Sequence, residues 1–146
     1  MKRLLYCTRA NAAVEAAIFM PVFLLLTLGI TDLGVGMFVK MTANAAAQAG
    51  AAYAFFKTNS TCTAAPITAT CLSGIKMAMN DAAANPTFCT GSACVASVVE
   101  PCADGTPQSK CVIVTANWSY TPILRSAVYA WGKPQTYSST ATVRVQ

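Results

Sequence analysis

Cysteine is the residue type in this chain whose number and spacing promise chemistry. Of seven cysteines in 146 residues, Cys7 stands alone near the start, while Cys62, Cys71, Cys89, Cys94, Cys102 and Cys111 form an even set in one short stretch. An even set at close spacing in a small domain points to disulfide formation in an oxidising compartment, where crosslinks make up for a thin core. The rival chemistry, zinc binding, lacks its usual ligands: there is no CxxC pair and no histidine. No metal and no cofactor is expected. Six cysteines allow fifteen pairings. Pairing of sequence neighbours is the simplest hypothesis, and Cys102 with Cys111 is its best-supported member, because Asp104-Gly105 and Pro107 between them favour a turn.

Acid–base and nucleophilic catalysis have little to draw on. Beyond residue 39 the carboxylates are Asp81, Glu100 and Asp104, and neither a Gly-rich phosphate loop nor a nucleophile elbow occurs. The chain is expected not to be an enzyme. The seven basic residues in the same region are scattered without a patch, so nucleic acid is not an expected partner.

The element that must position this cysteine-rich part is apolar. Charged residues make up 10% of the chain and hydrophobic ones 55%. Ala16 to Thr31 carries no charge, and after Asp32 the apolar run resumes as Leu33 to Val39. As a helix these positions span about 36 Å, enough for a hydrocarbon core of about 30 Å. Lys2, Arg3 and Arg9 precede the span, whereas the next fifteen residues hold only Lys40. That bias predicts a cytoplasmic N-terminus and an exported C-terminal part. The alternative is a secreted small disulfide-rich binding module with a removable signal peptide cut after Ala43-Asn44-Ala45. Against it, the apolar region exceeds the usual length of about 7 to 15 residues and Glu15 sits at its edge.

Glu15 and Asp32 are the intramembrane acidic candidates. Their separation corresponds to about 26 Å of helix, less than the hydrocarbon thickness, so at least one must lie at or inside the boundary. A carboxylate there costs on the order of 3 kcal/mol at the bilayer centre and asks for a partner.

Pro21, which removes a hydrogen bond to the Ala17 carbonyl, is expected to bend the helix. Past Val39, Lys40, Asn44 and Gln48 recur every fourth residue as one polar stripe. Ala43, Ala47 and Ala51 stack on one row and Ala46, Gly50 and Ala54 on another. Such rows admit close approach of a neighbouring helix, as do Ala12 with Ala16 and the glycines Gly29 and Gly34. A loop rich in Thr, Ser, Asn and Pro follows from Thr58 to Thr70. Next come a short helix over Leu72 to Asn85 and three strand-like runs, CVASVVE, CVIVTANWSY and TYSSTATVRV. The expected fold is α+β: a long transmembrane helix continuing into a small domain with a short helix and a three-stranded antiparallel sheet. Its divisions are a basic cytoplasmic leader (1–10), the transmembrane and extended helix (11–56) and a disulfide-braced periplasmic domain (57–146).

The run Ala10-Asn11-Ala12-Ala13-Val14-Glu15, then Met20-Pro21, Gly29-Ile30-Thr31-Asp32-Leu33-Gly34 and Gly50-Ala51-Ala52-Tyr53-Ala54 resembles the TadE-like family. These are minor pilins or pseudopilins of the bacterial tight-adherence (Flp) pilus. A pilin-like fold is implied, with other pilins, assembly-platform proteins and membrane lipid as partners and a prepilin peptidase as the processing enzyme. The implied cut falls between Ala10 and Asn11, leaving Glu15 fifth after it. The family usually has glycine before the cut and an aromatic after the glutamate, where this chain has Ala10 and Ala16. Asp32 stands where the family commonly carries an acidic residue.

Overall fold

The computed structural model describes residues 8–57, 66–99, 109–122 and 135–145, together with Cys62, Ala64 and Cys102. Helix α1 runs from Thr8 to Phe56, about 73 Å long. It starts before the expected Asn11 and is continuous through Pro21. Toward its N-terminal end, residues 14–28 are exposed. Two threonine hydroxyls along this stretch bond to the helix's own carbonyls. The Thr27 hydroxyl donates to the Leu24 carbonyl at 3.0 Å and Thr31 donates to Thr27 at 2.7 Å, so neither hydroxyl needs water.

The C-terminal half of α1 is the spine of the domain that α2 and the sheet build on it. Helix α2 spans Ala69–Ala82, three residues earlier at both ends than the expected Leu72–Asn85. Thr68 explains the start, because its hydroxyl accepts from the Cys71 amide and caps the first turn. Ala84 explains the end: at φ +50° it leaves the right-handed region. Asn80 then ties the exit down, donating to the Pro86 carbonyl at 2.9 Å and accepting from the Cys89 amide at 2.8 Å.

Strands β1 (Cys94–Val99), β2 (Lys110–Tyr120) and β3 (Gln135–Val145) form an antiparallel sheet in the order β1-β2-β3. The register pairs Cys94 with Ala116, Cys111 with Arg144, and Tyr120 with Gln135. In β3 the odd-numbered residues from Tyr137 to Val145 face inward and the even ones outward, as strict alternation predicts. The Asp104-Gly105 turn falls outside the described residues.

The sheet and α2 pack on α1. The core joins Ala43, Ala46, Ala47, Ala51 and Ala54 of α1 to Cys71, Ile75 and Met79 of α2 and Val112, Val114 and Ala116 of β2. Phe88 closes one end, its ring 4.8 Å from that of Trp118. With so many alanines on α1, close approach replaces bulky side chains as the source of packing.

Candidate functional site

Three sets of residues on α1 could carry function: its small-residue rows, its two carboxylates and its exposed apolar surface. The small-residue rows are occupied within the chain. Ala43, Ala47 and Ala51, and Ala46, Gly50 and Ala54, do admit another helix at close range, but the elements they admit are α2 and the sheet of the same chain. These positions are therefore not open to a second protein. A β-carbon on Gly50 would lie 2.8 Å from Met79 Cγ and 3.0 Å from Val114 Cγ1, so glycine marks where α1, α2 and β2 meet. A β-carbon on Gly74 of α2 would overlap the Tyr53 ring. Ala16 and Gly34 remain exposed and Gly29 is half-buried; Ala12 has no described side chain. The polar stripe Lys40, Asn44 and Gln48 is exposed as expected, and Ser139 of β3 donates to Asn44 Oδ1 at 3.0 Å.

Glu15 is exposed near the N-terminal end of α1. Asp32 differs: it is half-buried, and the Tyr120 hydroxyl donates a hydrogen bond to its Oδ1. The partner that a carboxylate in this helix requires is thus supplied in part by the chain itself, from the last residue of β2. Composition could not have indicated Tyr120; the strand register and the seat of the sheet on α1 were both needed. Tyr120→Phe should lower the stability of domain docking by about 2 kcal/mol, and combined with Asp32→Asn it should add little more. Thermal unfolding of the two single variants and the double variant in detergent checks this; fully additive losses would remove the pair from the account.

The cysteines pair as sequence neighbours. Cys62–Cys71, Cys89–Cys94 and Cys102–Cys111 have α-carbons 5.3, 5.0 and 5.4 Å apart. Each staples a junction: the segment entering α2, the turn before β1, and the β1–β2 connection. The buried Ser109 hydroxyl accepts from the Cys102 amide at 3.2 Å inside the third loop. Among the described residues no three side chains of the metal-ligating types come together.

Residues 11–52 match the TadE-like protein family. The TadE-like match thus begins near the start of α1 and ends one turn short of Phe56, taking in Glu15, Asp32 and Gly50. It lies wholly within α1 and leaves α2 and the sheet outside. No curated protein and no solved structure matches the chain. Helix α1 is also a candidate membrane span by length and apolarity, with residues from Val14 onward meeting both requirements.

Proposed function

We propose that this protein is a minor pilin or pseudopilin of a bacterial tight-adherence pilus apparatus. It sits in the inner membrane with its N-terminus in the cytoplasm and its disulfide-braced domain in the periplasm. The observation that carries this reading is the family match laid on a helix that leaves the apolar span and becomes the core of a crosslinked domain. Lys2, Arg3 and Arg9 before the span favour the orientation, and three disulfides suit the periplasm. Other pilins and platform proteins are the partners, engaged through the exposed faces of α1 and of the domain. Prepilin peptidase would act at the Ala10-Asn11 bond, within the first turn of α1. The amino group created on Asn11 would then serve as counter-ion to Glu15 of an adjacent subunit.

The secreted-module alternative fares worse. A cut after Ala45 would strip Gly36, Val39 and Ala43 from beneath the sheet, and Asp32 from Tyr120.

In a bacterium that makes tight-adherence pili, deleting the chain should abolish surface pili. Complementation with Glu15→Ala should restore membrane insertion but not piliation, because the variant removes a charge from the span while losing the intersubunit pair. Unaltered piliation without the chain would refute the proposal; full rescue by Glu15→Ala would refute only the role of Glu15. A reporter active only in the periplasm, fused after Gln146, should be active. Activity of a cytoplasmic reporter there would reverse the orientation.

A further inference from the structure

Between Phe38 and Phe56 helix α1 is apolar on two opposite sides. One is the interior of the domain, where Val39, Ala43, Ala46 and Ala47 are buried. On the other, the exposed residues Phe38, Met41, Ala45, Gln48, Ala52 and Phe55 follow one another at alternating steps of three and four. Phe38 and Met41 are 66 and 70% exposed and Phe55 is 50% exposed, and Lys40 is the one charged residue between Phe38 and Phe56. A helix that is apolar on all sides is one that is covered on all sides. The alternating step is the heptad spacing of a left-handed helix pair, in which a seam recurring every 3.5 residues keeps facing its partner. Lipid tails do not reach the far end of this seam. Phe55 lies about 22 Å along the helix past Lys40, whose ammonium belongs with headgroups or water. In the other direction the same steps reach Gly34, Thr31 and Thr27, all exposed, so the seam runs unbroken into the apolar span, where small residues allow close approach.

The residues of the seam also select the helix that fits it. Two copies held in one bilayer by the same apolar span lie parallel at equal depth, so each seam residue faces its own counterpart. Gln48 then meets Gln48, and a carboxamide, which both donates and accepts, pairs with another carboxamide. A lone polar residue within an apolar seam fixes the register of a helix pair in this way. The positions flanking the seam, Met37 and Asn44 on one side and Thr42 and Ala49 on the other, carry no charge, and Lys40 lies outside them. Identical helices therefore meet here without like-charge repulsion.

We propose that a second copy of this chain covers the free side of α1. The two helices run parallel and in register, with the seam from Phe38 to Phe55 between them and Gln48 near its middle. Each domain stands on the far side of its own α1, away from the seam. This inference deepens the proposed function by naming one partner, and it rests on the reading of α1 as a membrane anchor.

The test uses the full-length protein in the membranes of intact bacterial cells, with photoreactive benzoylphenylalanine placed singly at exposed positions. Met41 and Ala45 report the seam, Leu26 the lipid-facing side of the apolar span, and Thr142 the outer face of the sheet. Adducts joining two copies should form at Met41 and Ala45 about tenfold more often than at Thr142. Peptide mass spectrometry should place each crosslink within one turn of the same position in the second copy. Gln48→Lys, which sets two ammonium groups face to face, should lower that yield about tenfold. Gln48→Asn and Thr142→Lys should leave it unchanged. Lipid adducts at Leu26 without two-copy adducts at Met41 and Ala45 would overturn the inference and leave the anchor standing. Adducts at Met41 and Ala45 to a different protein alone would overturn the second copy as the occupant. Crosslinks that map to the sheet of the second copy, or a yield indifferent to Gln48→Lys, would overturn the in-register seam. No lipid at Leu26 would overturn the anchor and the inference together.

Discussion

Gly50→Leu is expected to unseat α2 and the sheet from α1. Two effects compete at this position, and they differ in sign. Replacing a mid-helix glycine by leucine raises intrinsic helix stability by about 0.8 kcal/mol. Against this, the first added carbon already meets Met79 and Val114 within 3.0 Å, and the three beyond it have nowhere to go in a junction of two helices and a strand. Overpacking of a close-packed core costs about 1 to 3 kcal/mol for smaller insertions, so a net loss of about 3 kcal/mol is expected. Gly34→Leu is the control, since a β-carbon there meets nothing within 4 Å; it should keep the propensity gain. Near-UV circular dichroism of the two variants through a thermal melt separates the cases. An unchanged midpoint for Gly50→Leu would mean that α2 and the sheet do not pack on α1 as described.

Reduction of the three disulfides should melt the domain while leaving the apolar half of α1 helical. Cys62–Cys71 and Cys102–Cys111 are separated by 9 residues and Cys89–Cys94 by 5. Loops of this size are worth about 2 to 3 kcal/mol each by loop-closure entropy. Together they reach the stability of a typical small domain, about 5 to 15 kcal/mol. The domain has little else to resist with, because the α1 side of its core is alanine. The expected result is loss of near-UV signal and of amide protection in residues 66–120 on adding reductant, with protection retained in the span of α1. A non-reduced peptide map should show the three neighbour pairs; six free thiols would dispose of the crosslinked domain.

Much of this architecture was legible because each element carries a local signal. The uncharged run from Ala16 to Thr31 and the alternation of β3 are one-dimensional patterns, and the structure follows them. Neighbour pairing of the cysteines was one hypothesis among fifteen, favoured for Cys102 and Cys111 by the turn residues between them, and the structure has it. What could not be read was tertiary. A row of alanines announces that something approaches closely, yet Ala43, Ala47 and Ala51 look alike whether the visitor is a neighbouring subunit or the chain's own α2 and sheet. Tyr120 is likewise an ordinary strand-ending tyrosine until the register sets it beside Asp32, 88 residues away. The start of α2 was missed for a simpler reason. Thr68 was read with the loop, although a threonine before a helical run is also a cap.

The apolar segment and the domain share one continuous helix. From Val39 to Phe56 the buried side of α1 is the interior of the domain, and below it the same helix continues unbroken through the apolar span. No swivel separates the two. Between Val39 and Phe56, about five turns of helix transmit torque and thrust as a drive shaft does. A partner that lifts or rotates the membrane end by one residue step moves the sheet by about 1.5 Å and 100° without a hinge to absorb it. A push on the apolar end of α1 would thereby reach the domain surface through unbroken helix.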